Sequence, residues 1–192
     1  MDKQALDIPR IGILPSGPLD SICDVGEVSV GHRTLAEGPL QTGVTVVLPH
    51  GGDPYLDKVP AAATVLNGFG KSTGLVQVQE LGVLETPIGL TNTFGVGTVA
   101  NAQIRAAVAA NPGIGRGMAT VNPLVFECND GYLNDIQALA VQESHYAEAL
   151  AAADKRFEQA QSAPAGACRV FRSRAASAPR RAWPPSRRDR ST

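Results

Sequence analysis

Apolar and polar positions alternate from Asp24 to His32, just after a turn signal, which is the two-residue period of a half-buried strand. Thr42 to Pro49 is a β-branched run closed by proline, and its unbroken apolarity predicts a strand covered on both faces. His50 to Pro54 reads as a loop. Ala61 to Leu66 is a short apolar element ending at Asn67-Gly68. Leu75 to Leu84 has the spacing of a helix, stopped before Pro87. Ile88 to Thr91 is a buried strand, and Thr98 to Ala110 a helix that ends at Asn111-Pro112. Val121 to Glu127 is a further strand, Asp135 to Leu139 a short strand or helix start, and Glu143 to Ala153 an Ala-rich helix. Strands alternating with helices predict the α/β class.

Composition adds a boundary. The 192 residues are 43% hydrophobic, enough for a core, and no stretch approaches the roughly eighteen unbroken apolar residues of a membrane span. With 20 Gly, 14 Pro and 5% aromatic residues, the chain is rich in tight turns. The net charge of −1 averages two unlike regions: residues 160–192 carry eight Arg and one acid, for +7, so residues 1–159 carry −8. In the basic region Ala, Arg, Ser and Pro fill 25 of 33 positions, and only Val170, Phe171 and Trp183 are sizeable apolar residues. That is too little apolar surface to offset ordering entropy, so the expectation is a globular segment 1–159 and a disordered tail 160–192. The N-terminus lacks the apolar run of a secretory signal, and Cys23, Cys128 and Cys168 lie too far apart for a metal knuckle or a disulfide scaffold, which fits a reducing cytoplasm.

Several motifs invite a chemical reading. Gly68 to Thr73 looks like the end of a phosphate loop, but Val65 stands where the first glycine is needed, and a Gly-rich turn accounts for it. Gly95, Gly97 and Ala100 fit a dinucleotide fingerprint, but the next acid after Ala100 is Glu127, too far on for a ribose contact. His32, His50 and His145 have no metal-ligand spacing; His50 with Asp53 is the nearest approach to one, and no metal or other cofactor is expected. The most unusual stretch runs from Glu127 to Asp135, with three acids, two Asn and a Tyr at the end of an apolar strand. Ligands of α/β sheets bind beyond the carboxyl ends of strands, and a carboxylate there holds an ammonium while amides donate to a developing oxyanion. An Asx-turn with a capped helix start accounts for the same residues, and composition leaves both readings open.

Five segments in order carry a resemblance: Ile22-Cys23-Asp24-Val25 through Val30-Gly31-His32, Thr42-Gly43-Val44-Thr45, Leu66-Asn67-Gly68 with Thr73-Gly74, Leu90-Thr91-Asn92-Thr93, and Glu127-Cys128-Asn129-Asp130-Gly131-Tyr132-Leu133-Asn134-Asp135-Ile136. Together they resemble the L-aminopeptidase/D-esterase family, the β-aminopeptidases, over about residues 8–159. The resemblance implies a four-layer αββα sandwich, here incomplete. It also implies self-cleavage that exposes an N-terminal Ser or Thr nucleophile activated by its own amine, with no metal. Substrates would be peptides, amides or esters bearing a free amino group, and intact members would be homo-oligomers, with no nucleic-acid or membrane partner. Glu127 would hold the substrate ammonium, and Asn129, Asp130, Tyr132 and Asn134 would line or support the pocket. The family's nucleophile segment is not recognisable in this sequence, so no catalytic residue is assigned and the chain alone is expected to be inactive.

Where the family continues with a Gly-rich run, this chain has Ser162 to Cys168 and Arg174 to Arg180. Reading across codon boundaries permits the family residues at these positions: Ala codons allow Gly, Cys allows Met, and an Arg codon allows Lys. The expectation is a frameshift near Gln159 to Ser162. Three other readings remain: the tail as a nucleic-acid arm, the 127–135 loop as a small-ligand binding module, and a dinucleotide-binding domain at Gly95. A sandwich lacking strands of its second sheet would also expose edges and apolar faces, lowering solubility.

Overall fold

The computed structural model describes residues 13, 15–66 and 68–157; the expectations for the N-terminus and for the tail, residues 160–192, fall outside them. Among the described residues six strands and three α-helices follow in order: β1 (Ser29–Glu37), β2 (Leu40–Leu48), β3 (Val59–Pro60), α1 (Leu75–Leu81), β4 (Val83–Leu84), β5 (Ile88–Asn92), α2 (Val96–Ala110), β6 (Leu124–Cys128) and α3 (Glu143–Ala151). The architecture is mixed α/β, as the sequence predicts. Among the described residues there is one four-stranded sheet, ordered β1-β2-β5-β6, and a two-stranded sheet β3-β4.

β1 and β2 form an antiparallel hairpin, with Gly31 opposite Val46 and His32 opposite Thr45. β2 pairs antiparallel with β5, and β5 pairs parallel with β6, so that Asn92 lies beside Cys128. Parallel neighbours require a crossover, and α2 supplies it. One face of the sheet is roofed by α2 and α3: Val44, Val46 and Val125 meet Val96, Val99, Ala102, Tyr146 and Ala149 in the main core. The opposite face of β5 and β6 is covered by α1 and the small sheet, through Val78, Leu84 and Leu124 with Ile88 and Phe126 packed against them. Further along that face Val47 and Leu90 stay half-buried.

Both sheet edges receive a single extra bridge. Asp154, just past α3, pairs with Val30 of β1, and Thr73 pairs with Val125 of β6. The second bridge draws the chain ahead of α1 to the edge where the candidate site lies. Gly74 permits the turn after it: its φ is 87°, and a Cβ there would run into the Pro123 carbonyl.

Three local expectations are corrected. Ile22–Asp24 is a 3-10 turn capped by Ser21, so the first strand starts only at Ser29. Ala61 to Leu66 forms no regular element, and Leu66 is 92% exposed. The helix beginning at Leu75 ends at Leu81, because Gly82 takes the left-handed cap at φ 67° and the next two residues pair with β3. Of the two readings left open for Asp135 to Leu139 the helical one holds, as a 3-10 turn at Ile136–Ala138. No helix among the described residues is long and apolar enough to cross a membrane.

Candidate functional site

The parallel register of β5 and β6 brings two loop starts side by side. β5 ends at Asn92, whose side chain works in both directions: Oδ1 accepts from the Gly95 N–H at 2.7 Å, and Nδ2 donates to Thr42 Oγ1 at 3.0 Å. Asn92 thereby caps a 3-10 turn, Thr93–Gly95, that runs directly into α2. Thr93, the first residue of that turn, is 8% exposed. Its hydroxyl donates to Glu127 Oε2 at 2.5 Å, while Glu127 Oε1 accepts from the Lys71 backbone N–H at 3.3 Å. Glu127 is half-buried near the carboxyl end of β6.

Among the described residues each carboxylate oxygen of Glu127 thus takes one donor. A carboxylate offers about four acceptor positions, so these two donors leave room for a further one. None of the ion pairs among the described residues involves Glu127; these join Arg33 to Glu148, Lys58 to Glu85 and Arg105 to Glu143. The nearby Lys71 ammonium is directed elsewhere, donating to the Phe69 carbonyl at 2.6 Å and lying 3.4 Å from the centre of the Phe69 ring. A partly desolvated anion held by neutral donors favours an incoming cation that also donates hydrogen bonds.

The other residues singled out in the sequence divide into two groups. Asn129 is exposed and closes a turn, its Oδ1 accepting from the Gly131 N–H at 3.0 Å; Tyr132 is 43% exposed. Asp130 and Asn134 are buried, at 0% and 5% exposure. Asn134 Nδ2 donates to Asp130 Oδ1 at 3.1 Å, and Asn134 Oδ1 accepts from the Gln41 N–H at 3.0 Å. Asp130 and Asn134 therefore tie the loop to the β1–β2 hairpin from within. Thr93 and the Lys71 amide are the site partners the sequence reading missed. The signal was the parallel pairing of β5 with β6, which puts residue 93 beside the end of β6.

The remaining motifs are absorbed by the fold. A Cβ on Gly95 would lie 2.7 Å from Thr91 Oγ1, so that glycine answers to packing at a self-capped helix start rather than to a pyrophosphate. Asp53 accepts from the Tyr55 N–H and from Asn111 Nδ2, and His50 is bonded to the Asp57 carbonyl and the Gly52 N–H. No group of three or more potential metal ligands occurs among the described residues.

The fold is a helix-covered mixed sheet with Glu127 at its parallel strand ends, and the chain belongs to Peptidase family S58, whose profile matches residues 20–170. Its relatives include two proteins named beta-peptidyl aminopeptidase BapA. The one from Sphingosinicella xenopeptidilytica is 36% identical over 143 residues, covering 70% of this chain and 35% of that protein. The one from Sphingosinicella microcystinivorans is 35% identical over 155 residues, covering 76% and 37%. Among solved structures, the PH0078 protein of Pyrococcus horikoshii OT3 aligns with a TM-score of 0.79 at 44% identity, over 83% of this chain and 47% of that one. The L-aminopeptidase D-Ala-esterase/amidase of Ochrobactrum anthropi, described as a prototype for the serine aminopeptidases and a new variant among the Ntn hydrolase folds, aligns at 0.68 and 31% identity, over 79% and 44%. The chain therefore spans a little over a third of the curated relatives and just under half of these solved chains.

Proposed function

We propose that residues 1–159 form the amine-recognising wall of an aminopeptidase acting on peptides, amides or esters with a free amino group. The observation that carries this reading is Glu127, fixed by Thr93 and the Lys71 amide and without a cationic partner among the described residues. In this reading the substrate ammonium occupies the open acceptor positions of Glu127, which orients the scissile carbonyl. An N-terminal Ser or Thr freed by self-cleavage attacks that carbonyl, the C–N or C–O bond breaks to release the amine or alcohol, and water then hydrolyses the resulting acyl-enzyme to the acid and the free hydroxyl. The nucleophile belongs to the part of the family's chain that is not recognisable here, so this chain binds without turnover. Residues 160–192 are read as a frame-shifted tail.

Binding is tested by NMR titration of the chain with β-alaninamide and with its N-acetylated counterpart. The amine is expected to move the resonances of Glu127, Thr93 and Lys71, and Glu127→Gln to abolish the effect. Equal perturbation by the acetylated amide would falsify the reading, since that ligand has no ammonium.

A further inference from the structure

We propose that Thr93 is the positioning residue of the Glu127 site, its hydroxyl fixing the carboxylate orientation in which an ammonium is received. The inference rests on the reading of Glu127 given above. Among the described residues Glu127 has one side-chain donor, Thr93 Oγ1 at 2.5 Å, and one main-chain donor, the N–H of Lys71 on the exposed segment ahead of α1, at 3.3 Å. The shorter contact comes from the better anchored group. Thr93 is buried, begins the turn capped by Asn92, and is continuous with α2. Asn92 is in turn fastened to Thr42 of β2, so the hydroxyl inherits the rigidity of the sheet. A half-buried glutamate has three rotatable side-chain bonds, and an ammonium arriving at a wandering carboxylate must bear the cost of ordering it. A donor already in place removes that cost and leaves acceptor positions open on both oxygens.

The test uses the chain itself, with Thr93→Val, Thr93→Ala and Thr93→Ser, each read only where its melting transition stays cooperative. Valine keeps the shape of threonine and deletes the hydroxyl; alanine deletes it without added bulk, should valine fail to fold. Two quantities are read: the 13C resonance of the Glu127 carboxyl carbon without ligand, and the affinity for β-alaninamide. Loss of a hydrogen bond to a charged group predicts about tenfold weaker binding or more for Val and Ala, together with a displaced carboxyl resonance. Thr93→Ser is expected to restore both to near the parent values. A purely structural threonine would lower the melting temperature without this serine rescue of the carboxyl signal. A carboxyl resonance indifferent to Thr93→Val, or undiminished affinity, overturns the role of Thr93 alone. Absence of binding by the parent chain, with the resonance displaced as expected, instead removes the ammonium reading on which the role depends.

Discussion

At the scale of single residues, the structure holds two glutamates in opposite ways. Glu127 has neutral donors and an open side. Glu85 is 5% exposed and closed in: Oε1 accepts from the backbone and side chain of Asn122 at 2.8 and 3.0 Å, and Lys58 Nζ stands 3.4 Å from Oε2. Burial by itself would raise the Glu85 carboxyl, but bonds from Asn122, Gln77 and Lys58 outweigh it and hold the carboxyl below its ordinary value of 4.5. A depressed folded value means the stabilisation is complete above the unfolded value and is lost as pH falls through the folded one. Glu85→Gln is therefore expected to flatten the acid side of a melting-temperature profile below about pH 4.5 while costing stability at neutral pH. An acid limb of unchanged slope in the variant would show that Glu85 plays no such part. Residue type alone did not separate these two acids, because Lys58, Asn122, Thr93 and Lys71, the partners that set them apart, lie 27 to 56 positions away in the chain.

At the scale of elements, the hairpin carries α3 at very close range. A Cβ on Gly31 of β1 would strike the Ala149 carbonyl and lie 2.7 Å from the Ala153 nitrogen, both main-chain atoms that cannot rotate aside. Gly97, near the start of α2, is the opposite case, with nothing within 4 Å of a built Cβ. Gly31→Ala is expected to cost about 1–3 kcal/mol by overpacking. Gly97→Ala should be neutral or gain up to about 1 kcal/mol from helix propensity. Chemical denaturation of the two variants checks both, and equal costs would contradict the packing described. Periodicity made α2, α3, β2 and β5 legible, since each buries one face or both over a long enough run. It failed at Ala61 to Leu66, where an apolar run is left outside regular structure. It also overextended α1, where Gly82 stops the helix and the two residues beyond it find strand partners 23 and 25 positions upstream.

At the scale of the whole molecule, the described residues make a four-stranded sheet roofed by two helices on one face and partly covered by α1 and the β3-β4 sheet on the other, where Val47 and Leu90 remain half-buried. With no recognisable nucleophile segment, the purified chain is expected to show no hydrolysis of an aminoacyl p-nitroanilide. Turnover abolished by Glu127→Ala, or a self-generated N-terminal Ser or Thr seen by mass spectrometry, would overturn that expectation. Resequencing the coding DNA through codons 155–192 settles the tail separately. What the sequence by itself determined is the α/β class, the order of most elements and the family; it also singled out Glu127 as a candidate. Those follow from local periodicity and from a short motif contiguous in the chain. Only the tertiary structure decided which residues grip Glu127 and which of its neighbours turn inward. Thr93 and Lys71 lie 34 and 56 positions from it and meet it through a parallel strand pairing and an edge bridge. Such contacts are fixed by the register of hydrogen bonds between distant strands, which no local pattern encodes.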